Sequence, residues 1–155
     1  MSKDRLTDQE LAERVKHEHQ VVAELSRIIR EHLAVVPEQS RGAWLDGFRA
    51  AFTRLRTHLQ ESLAARETNG YLEDVTQRRP TLSGQVERLR AEHPQLLHMA
   101  ARIHDELQSV TPEQGLLLGD LAARTLRFLA INGQHDQREN MITLFACSQD
   151  IGAGD

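Results

Sequence analysis

What most constrains this chain is the spacing of its apolar residues, which recur at three, four and seven along four separate segments. That spacing lines one face of an α-helix, whose turn is 3.6 residues, and fits no strand. The first segment carries Ala12, Val15, Val22, Ile29, Leu33 and Val36, and the second Leu45, Phe48, Phe52, Leu55 and Leu59. The third carries Val86, Leu89, Leu96, Ala100, Ile103 and Leu107, and the fourth Leu118, Leu121, Phe128, Ile142 and Ala146. Four amphipathic helices with short connections predict an all-α fold, an up-down-up-down four-helix bundle. The 155 residues suit one domain over 1–155, with its core at about 7–147.

Local signals set the expected boundaries. Thr7 and Glu10 form a capping box that opens the first helix, and Pro37 closes it after Val36. The second opens near Ser40 and ends at Asn69-Gly70, a turn pair. Residues 71–85 read as a linker, with a helical turn in its first five residues. Pro94 predicts a kink or a delayed start in the third helix, and Gly133 a weak point in the fourth. Thr111 followed by Pro112 predicts the fourth helix's N-cap and first position.

Composition excludes several classes of function. An apolar share of 39% with 27% charged residues suits a soluble globular protein. A net charge of -4 gives no basic footprint for nucleic acid. No apolar run approaches the ~20 residues that span a bilayer. The single cysteine, Cys147, excludes a disulfide framework and a cysteine zinc site, and a reducing cytoplasm is its natural home.

Eight histidines are the first hint of chemistry. Leu121, Phe128, His135 and Ile142 are each seven apart, so His135 points where its apolar neighbours point, and Glu139 shares that face. Val86, His93, Ala100 and Leu107 form the same ladder, and His19 lies between Val15 and Val22. A buried imidazole or carboxylate is costly without a partner, and a metal ion supplies one. Imidazole nitrogens with a carboxylate suit iron, zinc or manganese. His17, His32, His98 and His104 fall off the inward seams and read as surface positions, Trp44 as a bundle-end residue, and Tyr71 as core filling or a hydrogen-bond donor behind the site.

Glu18-His19 in the first helix and Glu92-His93 in the third repeat one another, and His135-Asp136-Gln137-Arg138-Glu139 follows in the fourth. In order and spacing, over about residues 11–146, these resemble the hemerythrin-like, or HHE cation-binding, family. The resemblance implies a site for two non-heme irons that binds or senses oxygen or handles iron, with a His-x-x-x-Glu/Asp pair on the second and fourth helices. The second helix departs from that pattern. His93 to His135 is 42 residues, and 43 residues beyond His19 is Ser62, with Arg66 four further on. His58, 39 residues beyond His19, offers another alignment, with Glu61 and Ser62 behind it. An inward Arg66 would pair with Glu139 or Glu67 where a metal ion would have been, or else snorkel to solvent.

The leading expectation is therefore non-heme iron, one or two ions, on His19, His93, His135 and Glu139, with His58 or Glu67 as further ligands. Its partner would be a small diatomic such as O2, or the metal ion itself, and a homodimer is left open. The alternative is a degenerate, metal-free bundle serving regulation or protein interaction. No nucleophile motif or phosphate loop favours an enzyme.

Overall fold

The computed structural model describes residues 7–68 and 71–152, which are helices joined by short turns, without a strand among the described residues. The helices are α1 (Asp8–Leu33), α2 (Gly42–Thr68), α3 (Tyr71–Arg78), α4 (Ser83–Ser109) and α5 (Gly115–Gly152), with a 3₁₀ turn at Pro80–Leu82 before α4. The Asn69-Gly70 turn, the Tyr71 side chain and the tail from Ser148 onward, as side chains, lie outside the described residues. No described helix is long and apolar enough to cross a membrane.

The four long helices close into a ring: α1 packs on α2 and α5, and α4 packs on the same two. The apolar ladders fill its interior. Ile29, Leu45, Phe48, Phe52, Leu107 and Phe128 belong to one large cluster. A second, smaller cluster gathers Val15, Leu72, Val75, Val86, Leu89 and Ala146. Along α4 and α1 the chain meets the small cluster first and the large one second; along α5 the order is reversed. Between the two clusters every long helix turns polar at the same level, with Glu18, Ser62, Arg66, His93, His135 and Glu139.

The Thr7 capping box is present: its Oγ1 accepts the Glu10 amide at 3.1 Å, and its own amide donates to Glu10 Oε2 at 2.9 Å. Other boundaries differ from expectation. The helical turn expected at the start of the linker is longer than its five residues, because Leu72 and Val75 are apolar at a helical interval and bury themselves as α3 against the small cluster. α1 ends at Leu33 rather than Val36. α4 runs unbroken through Pro94, which lies on its exposed side where the unpaired Arg90 carbonyl can meet water. α5 likewise runs through Gly133.

The fourth helix starts at Gly115, not Thr111. Thr111 is spent in a turn, its carbonyl accepting from the Gln114 amide and its amide donating to Gln114 Oε1. Arg41 locks that turn by donating to the Pro112 carbonyl at 2.8 Å. A Cβ at Gly115 would meet Arg41 Nη2 at 2.9 Å, so glycine makes room for the guanidinium.

His32 is not a surface residue. Its Nε2 donates to the Trp44 carbonyl at 2.7 Å while Trp44 Nε1 donates back to the His32 carbonyl at 3.1 Å, and the two rings stack. This clamp fixes the α1–α2 turn, and a Cβ at Gly47 would stand 2.7 Å from His32 Cε1. Overpacking of this kind costs about 1–3 kcal/mol, against the ~0.5–1 kcal/mol that alanine gains over glycine inside a helix. Gly47→Ala is therefore expected to lower the melting temperature of the parent protein. In a His32→Ala background the same substitution should raise it, and a double-mutant cycle by thermal denaturation reads the change of sign.

Candidate metal centre

His93 on α4, and His135 with Glu139 one turn apart on α5, face each other across the polar layer. All three side chains are buried, His135 and Glu139 to 1% exposure, and one ligating atom from each lies within 4.8 Å of the others. The His93 and His135 rings stand edge to face with centroids 5.1 Å apart.

Each ring is held from behind by a carboxylate. His93 Nδ1 lies 2.8 Å from Glu67 Oε1, and His135 Nδ1 lies 2.9 Å from Glu92 Oε2. An ionised carboxylate only accepts, so in each ring Nδ1 carries the hydrogen and, in the neutral imidazole, Nε2 carries the lone pair. Both Nε2 atoms, and Glu139 Oε1, are buried without a hydrogen-bond partner. Glu139 Oε2 lies 3.3 Å from His135 Nε2 and 3.9 Å from His93 Nε2. Buried polar atoms left unpaired are costly, and a cation shared by the two imidazole nitrogens and the Glu139 carboxylate would lower that cost. With ligand bonds near 2.1 Å, neighbouring donors around an ion stand roughly 3–3.4 Å apart, a spacing that the Glu139 Oε2–His135 Nε2 pair already has and that the His93 pair exceeds. This group can hold a metal ion.

The α1–α2 side of the layer is filled differently. Arg66 is 7% exposed, and its Nη1 donates to Glu139 Oε2 at 2.9 Å. Asp136 Oδ1 and Glu18 Oε2 each stand 4.0 Å from the guanidinium, and Ser62 Oγ donates to the same Glu18 oxygen at 2.6 Å. The snorkelling reading of Arg66 is thereby overturned: three carboxylates facing inward make the interior the better place for its charge. A cavity of about 70 Å³, lined by Arg14, Ser62, Arg66 and Glu139 among others, leads to the layer between α1 and α2.

Of the six expected ligands, His93, His135 and Glu139 come together. His19 is half-buried at the margin, with its Nε2 unpartnered, within the fields of Glu139, Arg66 and His135. His58 stands apart, its Nε2 3.7 Å from Glu18 Oε2. Glu67, 43% exposed, holds the back of His93. Sequence reasoning did not assign Glu92 a part. It sits in the quoted Glu-His pair, but its partners, His135 and Arg138, are on α5. Asp136 was also passed over, although it is buried beside His135.

The electrostatics follow from these contacts. Burial pushes the Glu139 carboxyl up, but His135, His93 and Arg66 outweigh it and hold it far below the usual range. Burial pushes His135 down, and Glu139 and Glu92 reverse that to a net rise. Burial lowers His19, and the Arg66 charge adds to the fall against the pull of Glu139. Asp136 is pushed up to about 6, first by burial and then by Glu139, with Arg66 opposing.

Compared with family models, curated proteins and solved structures, the chain matches none of them.

Asp136 gives a pH test. Its carboxyl rises from an ordinary 3.8 to about 6, so the native state holds that proton more tightly than the unfolded chain does. Stability is then greatest below the unfolded value, falls as pH rises through the folded one, and is fully reduced above it. The two-unit shift corresponds to about 2–3 kcal/mol. Asp136→Asn, in chelator-treated protein, should gain stability of that order at pH 7.5 and almost none at pH 4, read by urea denaturation.

Proposed function

We propose that this chain is a hemerythrin-like four-helix bundle that holds one non-heme iron ion on His93, His135 and Glu139. The same reading makes it a protein that binds or senses a small diatomic ligand at that ion in a reducing cytoplasm. One observation carries it: two imidazoles, each pinned at Nδ1 by a carboxylate, aim unpartnered Nε2 atoms at a buried carboxylate. Carboxylates behind the ligand rings fix orientation and raise ligand basicity, which is how protein metal sites are commonly supported. Two histidines and one carboxylate form a donor set suited to ferrous iron with positions left open.

Each residue has a defined task. Glu67 and Glu92 hold the rings in the tautomer that bares Nε2, and Glu139 brings the negative charge. The apolar clusters on either side keep bulk water out. A bound iron ion would supply the affinity for a diatomic ligand that these side chains lack. The cavity between α1 and α2 reaches Glu139 from the Arg66 side, and neither His93 nor His135 lines it. Ser62 and Arg66 stand where the family pattern would place a second ion's ligands, so the reading is one ion and not two.

A second reading has its own support. Arg66 already satisfies one oxygen of Glu139, and a guanidinium in that position fits a metal-free bundle serving regulation or interaction. Metal content after anaerobic reconstitution with ferrous iron, measured by plasma mass spectrometry, separates the two. The expected result is about one iron per chain in the parent protein and none in His135→Ala, with a rise in melting temperature on loading. Two irons per chain would refute the single-ion reading. No iron in a folded parent would leave the metal-free bundle.

A further inference from the structure

We infer that Arg66 selects the charge of the ion at this site, weakening its hold on cations and setting it against trivalent ones. This role presupposes that His93, His135 and Glu139 take a metal ion. The guanidinium is a planar fork of donors that matches carboxylates. It is buried, bonded to Glu139 Oε2 at 2.9 Å, and held in place by Asp136 and Glu18 at 4.0 Å. The same oxygen is the one that faces His135 Nε2 at 3.3 Å and His93 Nε2 at 3.9 Å. An incoming ion therefore meets a carboxylate that already serves a cation.

The two cations are not mutually exclusive. Glu139 Oε2 accepts from the guanidinium on one side and faces the two rings on the other, and Oε1 is buried without a hydrogen-bond partner, so the carboxylate has lone pairs left for an ion. Both would then depend on one carboxyl group, close enough to repel. That repulsion scales with the ion's charge. At an effective dielectric of about 20 and a separation of roughly 5 Å, each added unit of ion charge costs roughly a hundredfold in affinity. Divalent ions are tolerated and trivalent ones are penalised further. For iron, the consequence is a preference for the ferrous form.

Three variants separate charge from bonding. Arg66→Met removes both, Arg66→Gln keeps a donor for Glu139 without the charge, and Arg66→Lys keeps the charge. Affinity for Co2+ is measured by competition with a chromophoric chelator, and the midpoint potential of bound iron by mediated titration. Arg66→Met and Arg66→Gln are expected to bind Co2+ about ten-thousandfold more tightly than the parent, two charges at roughly a hundredfold each, with Arg66→Lys close to the parent. The neutral variants should favour ferric iron by roughly a hundredfold, a fall of about 120 mV at 59 mV per tenfold.

If the parent binds one ion and the neutral variants match it in affinity and potential, the charge-selecting role is overturned while the metal site stands. Equal behaviour of the lysine and methionine variants overturns it as well. If only the neutral variants bind, Arg66 excludes the ion outright instead of selecting it by charge, which overturns this role together with the iron-binding function of the parent. If no folded variant binds, the metal site and this role fall together. Should Arg66→Met not fold, the glutamine and lysine variants carry the comparison.

Discussion

Arg66 and Glu139 meet 2.9 Å apart inside the helix ring, on α2 and α5, which face each other across it. Two isolated charges at 7% and 1% exposure would each cost several kcal/mol to desolvate, and their attraction offsets this only when the remaining polar atoms are also engaged. Glu18 and Asp136 face the guanidinium, and Ser62 holds Glu18. The bonds between ring neighbours, Glu67 to His93 and Glu92 to His135, complete the layer. Removing one member of such a buried pair commonly costs about 3–5 kcal/mol, because the survivor is left uncompensated.

Protons and a metal ion compete for the same atoms here. With both rings protonated, each Nε2 would carry a hydrogen beside Glu139, and the layer would be a set of ion pairs. With them neutral, the bared lone pairs make a ligand set. Metal binding to imidazole is coupled to proton release for this reason. The net rise at His135 is the proton-bound side of that balance. The carboxylates behind the rings serve both states, since Nδ1 keeps its hydrogen in either.

The sequence carried facing well and pairing poorly. His93, His135 and Glu139 were legible because a helix repeats every 3.6 residues, so a polar residue on an apolar ladder must point inward. Ser62 and Arg66 were found by the same count along the second helix. The ladder drifts about 20° per heptad, which is why Ile142 is only half-buried while Thr143 is buried. Glu67 and Glu92 were illegible in their actual parts. Each acts on a neighbouring helix, and which side chain it meets depends on the relative rotation of two helices, not on either sequence alone. The His32–Trp44 clamp escaped for the same reason, since it needs the turn between them folded. α3 was legible only as a turn over its first five residues, because its buried residues serve a cluster assembled from distant parts of the chain.

The polar layer separates two apolar clusters of unequal size, and the smaller is closed by α3 and the short 3₁₀ turn. Local opening free energies follow buried apolar contact, so the end capped by α3 is the first to breathe while the large cluster holds. An ion seated between the clusters would then depart by way of that end, at a rate set by a partial opening and not by global unfolding. Residence time and fold stability become separately adjustable quantities in such a molecule, one governed by the fit of Leu72 and Val75 and the other by the phenylalanines at the far end.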